Sequence, residues 1–173
     1  MALELRASHC HSLRLDIVGY QFPDGTVDSL NWLLIRFTVQ VPGQEPWTKV
    51  DPSLETGELL SLARWFENMG TVDMRGPRPA YHFLEPNLSF SLVPVKGGKR
   101  RLRVHFDAES RPPWAPPRGQ GAHSSAWVEF PLEEVDPKAM ARWAHEEHAR
   151  FPAREPPGIE PRGPEWTALP GLL

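Results

Sequence analysis

Alternation of apolar and polar positions is the strongest pattern in the chain. Over 100–109, Leu102, Val104, Phe106 and Ala108 fall on one side; Arg101, Arg103, His105, Asp107 and Glu109 fall on the other. That period of two is the mark of a half-buried strand. The same pattern predicts strands over 12–20, with Leu13, Leu15 and Ile17 inward, and over 32–41, with Leu33, Ile35, Phe37, Val39 and Val41 inward. Shorter runs predict strands over 47–50, 81–84, 88–93 and 127–132. Two segments change to a helical period. Leu59, Leu62, Ala63 and Phe66 share one face of a helix over 56–69, with Thr56 as N-cap and Gly70 as the stop. Met140, Trp143, Ala144, Glu147 and Phe151 share one face of a helix over 136–151. Asp136 is its N-cap, and Pro137 sits at the first helical position, where a missing N–H costs nothing.

Turn chemistry separates these elements. Pro23-Asp24-Gly25 and Pro42-Gly43 end strands, and Lys96-Gly97-Gly98-Lys99 predicts a hairpin with a primed turn. The helices are segregated among the strands instead of alternating with them, which predicts an α+β class with an antiparallel sheet. The expectation is a single domain over 1–151, with a sheet of about 6–7 strands curled into two layers and two amphipathic helices. A proline-rich tail follows over 152–173. The chain has 173 residues, the size of one domain. Its 20 prolines crowd the 111–118 loop and the tail, so they mark stiff additions to a packed core and not general disorder.

Charge and cysteine usage narrow the function classes. Residues 1–70 and 119–173 each carry five basic and nine acidic groups, whereas 71–118 carry nine basic and four acidic. The overall net charge is −3, without the basic excess of a nucleic-acid binder, so no direct nucleic-acid contact is expected. Cys10 is the single cysteine, which excludes an intramolecular disulfide. No run approaches the 18 or so apolar residues of a membrane span, and the start has no secretory h-region. A cytoplasmic protein without membrane contact is expected.

Candidate chemistry is sparse. His145-Glu146-Glu147-His148 lacks the i, i+4 histidine spacing of a zinc helix and reads as a solvated face. His9 and His11 would share a strand face, but two histidines are too few for zinc. His105, Asp107 and Glu109 would line one strand face, the one constellation compatible with a small hydrolase; a solvated face is the simpler reading. Lys96, Lys99, Arg100, Arg101 and Arg103 form a basic patch at the hairpin, with no phosphate-binding loop beside it. No catalytic residue, cofactor or metal follows from these motifs.

Several segments together resemble a bacterial family. They are Ile17-Val18-Gly19-Tyr20-Gln21-Phe22-Pro23-Asp24, Asn31-Trp32-Leu33, Asp51-Pro52-Ser53-Leu54 leading to a helix with Trp65, Phe83-Leu84-Glu85-Pro86-Asn87-Leu88-Ser89-Phe90, and Phe106 to Glu109 with Pro112-Pro113-Trp114. The chain is similar over about 13–151 to the WapI-type immunity proteins, cytoplasmic antidotes to contact-dependent wall-associated toxins. The resemblance implies stoichiometric binding of a cognate toxin, often a nuclease with a basic cleft, and no catalysis. The acidic ends of the chain would complement such a cleft. The expected contact residues are Asp24, Asp28, Trp32, Glu85, Asn87 and Glu109; the simpler reading of Glu85-Pro86-Asn87 is a turn between strands. Two other readings stay open. One is a general interaction module, with a homodimer formed through Trp166, Leu169, Leu172 and Leu173 of the tail. The other is the small hydrolase.

Overall fold

The computed structural model describes residues 1–24, 30–71, 79–115 and 126–155. Asp28, the 116–125 part of the proline-rich loop, and Trp166, Leu169, Leu172 and Leu173 lie outside the described residues. Four strands, β1 (Ala2–Arg6), β2 (Ser12–Tyr20), β3 (Trp32–Gln40) and β4 (Trp47–Glu55), precede helix α1 (Thr56–Asn68). Four more, β5 (Ala80–His82), β6 (Leu88–Pro94), β7 (Arg100–Phe106) and β8 (Ala126–Pro131), precede helix α2 (Pro137–Arg150). Each set of four forms an antiparallel meander in chain order. The α+β class and the antiparallel sheet are as the alternation predicts. The described strands number eight, in two sheets, because β1 adds one: its two inward residues, Leu3 and Leu5, are too few to read as a period.

The inner faces of both sheets and the apolar faces of both helices contribute to one core. Phe106 of β7 lies edge-on to Phe37 of β3 at 5.8 Å between ring centroids and to Trp47 of β4 at 5.7 Å. The helices cover each other's sheets. Phe66 of α1 meets Phe90 of β6 at 5.4 Å. Trp143 of α2 donates its indole N–H to the Met1 carbonyl at 3.0 Å, and Phe151, just past α2, meets Tyr20 of β2 at 5.5 Å. The helices also pack on one another. Each half's apolar sheet face is therefore covered by the other half's sheet and helix, which joins the two halves in one core.

Local irregularities set where side chains point. Ile17 pairs with Ile35 but Gly19 pairs with Leu34, so Val18 is an extra residue in β2. A bulge of this kind shifts the alternation by one, and it turns Tyr20 to the side of Ile17, toward Phe151. A second shift lets β4 run through Pro52, past the expected end at Val50. β4 is the edge of its sheet, where a proline lacking an N–H leaves no central ladder bond unmade. Helix α1 is capped by Glu55 and not by Thr56. The Thr56 hydroxyl donates instead to the Asn31 carbonyl at 3.3 Å. The β6–β7 connection is a longer loop and not the expected two-residue turn: Val95 N–H donates to Lys99 O, with Gly97 and Gly98 at φ 80° and 74°. No helix among the described residues is long and apolar enough to cross a membrane.

The β1–β2 turn puts Cys10 at φ 70°, where the Ala7 carbonyl accepts from its N–H at 2.9 Å. A side chain in that left-handed region costs about 1–2 kcal/mol, and glycine relieves it at some cost in unfolded-state entropy. Cys10→Gly is expected to raise stability by about 0.5–1 kcal/mol. A urea unfolding curve checks it; an unchanged or lower midpoint would show that the turn carries no strain.

Candidate functional site: an acidic cleft at the seam of the two sheets

Three chain segments meet where the edge strand β4 faces the end of the second sheet. The first is Asp51-Pro52, within β4. The second is the 83–87 connection between β5 and β6. The third is the single 3-10 turn Ala108–Ser110 that follows β7. Together Asp51, Pro52, Glu85, Asn87 and Glu109 line a cleft of about 230 Å3.

Hydrogen bonds over long sequence separations hold these walls. The Ser110 hydroxyl donates to Asp51 Oδ2 at 2.7 Å. Asn87 donates Nδ2–H to the Pro52 carbonyl at 3.0 Å, and its backbone carbonyl accepts from Asp107 N–H at 2.9 Å. The turn is anchored from α1. Glu58 accepts from Leu84 N–H through Oε1 and from Glu55 N–H through Oε2, both at 2.8 Å. Burial pushes the Glu58 carboxyl up from its ordinary value, opposed by these two bonds to its charged form. Asn87 is 2% exposed, and its Oδ1 has no hydrogen-bond partner. Most buried polar atoms are paired, so this acceptor sets Asn87 apart.

Of the expected contact residues, the fold brings Glu85, Asn87 and Glu109 to this cleft. Asn87 serves the turn and the cleft at once. Asp24 is exposed before the 25–29 segment, and Trp32 is half-buried opposite Glu55 at the start of β3; neither lines the cleft. Asp51, Ser110 and Glu58 were not singled out in the sequence. Asp51 stood just past the expected end of a short strand, although Asp51-Pro52-Ser53-Leu54 is one of the segments that carry the family resemblance.

The other constellations are rearranged by the fold. His105, Asp107 and Glu109 do not share a strand face, because β7 ends at Phe106. The Asp107 carboxylate caps the next turn by accepting from Ala108 N–H at 2.9 Å, and Ala108 adopts φ 46°. That swings Glu109 to the cleft and leaves His105 on the sheet, 2.8 Å from the Ser91 hydroxyl. His9 and His11 lie on a turn with ring nitrogens 3.0 Å apart, not on a strand face. Among the described residues no group of three or more His, Cys, Asp or Glu is placed to hold a metal. In the 145–148 segment Glu147 points inward, 1% exposed, and accepts from the Met1 amino group at 2.5 Å. Much of the basic patch is spent within the fold. Arg101 and Arg103 pair with Glu129, Lys99 pairs with Glu133, and Arg100 donates to the Met69 and Gly70 carbonyls at the end of α1.

Burial, with Arg103 and His82 adding to it, pushes His105 down to about 4; Asp107 and Glu129 oppose the shift. The unfolded chain therefore binds more protons between the ordinary histidine value and about 4. The stability from a neutral His105 is complete above about pH 6.5 and drains away as pH falls toward 4. His105→Gln is expected to flatten this acid limb of the urea-midpoint profile. An equally steep limb in the variant would assign the acid sensitivity elsewhere.

Comparison with known proteins returns no match among curated proteins. A family model does match: that of the Immunity protein WapI-like family, over residues 4–152, which take in β2 to β8 and most of β1, both described helices and every lining residue of the cleft. With that match spanning most of its length, the chain belongs to the WapI-like immunity protein family.

Proposed function

We propose that this protein neutralises a cognate polymorphic toxin, in the cytoplasm, by forming a stoichiometric complex with it and without catalysis. Membership of the immunity family carries the reading. The geometry supports it in kind: the cleft gathers acidic side chains without a metal-binding triad among the described residues, an arrangement suited to recognising a basic surface. A toxin with a basic nuclease cleft is the partner this charge would meet, since complementary charge speeds association and sets partner choice.

Co-expression tests it. The toxin domain encoded in the neighbouring open reading frame is expected to be lethal alone, harmless with this protein, and to co-purify with it at equimolar ratio. A toxin that stays lethal on co-expression and does not bind the purified protein would end the reading.

A further inference from the structure

We infer that the seam cleft is a receptor for one basic side chain of the toxin, with an arginine guanidinium as its best-matched occupant; this rests on the immunity reading above. The lining sets the charge. Asp51, Glu85 and Glu109 supply carboxylates, and the described lining includes no basic side chain. Lys49 reaches one Asp51 oxygen from outside at 3.4 Å. Asn87 sets the hydrogen-bond polarity. Its Nδ2–H is committed to Pro52, and its buried Oδ1 still lacks a donor. Asn87 Oδ1 and the Glu85 and Glu109 carboxylates thus call for a ligand that donates, and lysine and arginine are the charged side chains that only donate.

Size and spacing narrow the occupant further. About 230 Å3 lies below the usual 300–1,000 Å3 of small-molecule pockets, and it suits the end of one side chain. The acids are not grouped closely enough to hold a metal ion. Spread carboxylates favour a planar fork of five N–H donors over a point charge. The walls are set in advance by the Ser110–Asp51, Asn87–Pro52 and Glu58–Leu84 bonds, so little ordering remains to be done on binding.

The test uses the full chain and the purified toxin domain from the neighbouring reading frame. Glu85→Gln and Glu109→Gln alter exposed or half-exposed groups, so both variants should fold with an unchanged urea midpoint. Their combination is expected to weaken toxin binding by about tenfold or more. Glu45→Gln with Glu146→Gln removes the same charge from exposed positions outside the cleft lining and is expected to leave affinity within about twofold. An arginine-to-alanine scan of the toxin should then find one position whose effect disappears in the Glu85→Gln, Glu109→Gln background. Coupling to a lysine instead would identify the other basic occupant and keep the basic-side-chain receptor. If wild-type protein binds the toxin but the cleft variants bind equally well, or no basic position couples, the receptor inference is overturned and the immunity reading stands. If wild-type protein does not bind or protect, both fall.

Discussion

Phe106→Ala is expected to lower the free energy of unfolding by about 3–5 kcal/mol, the usual cost of removing a buried aromatic ring. Phe106 is fully buried, and its ring lies against Phe37 and Trp47 of the opposite sheet. Two penalties add: the lost transfer energy of the ring, and a cavity on both sides of the interface. The surroundings cannot easily collapse into the space, because β7 is paired on both edges, with β6 and β8. A domain typically has only about 5–15 kcal/mol in total, so this one substitution removes a large share. Phe106→Leu keeps most of the volume and should cost distinctly less. Urea unfolding with a constant m-value checks both; a loss under about 1 kcal/mol for Phe106→Ala would mean that the sheets do not share a core.

What the sequence made legible follows from which contacts are local. β2, β3 and β7 each bury one face, so Leu13-Leu15-Ile17, Leu33-Ile35-Phe37-Val39 and Leu102-Val104-Phe106 announce themselves by period alone. Asp136 and Pro137 announce α2 in the same way, and the Asp136 carboxylate does accept from Ala139 N–H at 3.0 Å. Errors arise where local signals compete with distant partners. Ala108 continues the alternation of β7, yet the Asp107 cap bends the chain there. Pro52 reads as a strand end, yet an edge position tolerates it. The cleft was half legible. Glu85, Asn87, Glu109 and Asp51 all lie in segments that resemble the family, but what joins Asp51 to the cleft is a hydroxyl bond from Ser110, 59 positions away. No period or local motif encodes such a pairing. The same holds for Glu147, whose helical spacing places it inward but whose partner, the Met1 amino group, lies at the other end of the chain.

Arg154→Ala is expected to lower the free energy of unfolding by about 2–3 kcal/mol, the upper range for hydrogen bonds made by a charged group. Its guanidinium donates to the carbonyls of Phe22, Pro23 and Leu30, and lies over the Tyr20 ring at 3.7 Å. Its backbone N–H donates to Asn31 Oδ1 at 2.7 Å, and Tyr20 donates its hydroxyl to the Pro152 carbonyl at 2.5 Å. One side chain therefore closes both ends of the connection between β2 and β3, the connection that carries Asp24. It can do so only because the Val18 bulge turns Tyr20 inward to form the platform. Removing it strands three carbonyls and an aromatic face together, so the loss should exceed that of a surface ion pair, about 0–1 kcal/mol. Arg154→Lys keeps the charge over Tyr20 but loses the planar fork, and should recover less than half of the loss. Arg150→Ala supplies the control: it removes an exposed arginine from Glu147 and Phe151 and should cost under about 1 kcal/mol. Hydrogen exchange adds a local reading, because Gln21 N–H, bonded to Trp32 O at 2.8 Å, sits at the base of this connection. It should exchange much faster in Arg154→Ala while the amides of β7 keep their protection. Equal loss of protection throughout would mean that Arg154 acts on global stability alone. An Arg154→Ala midpoint matching that of Arg150→Ala would show that the clamp adds nothing beyond an ordinary surface charge.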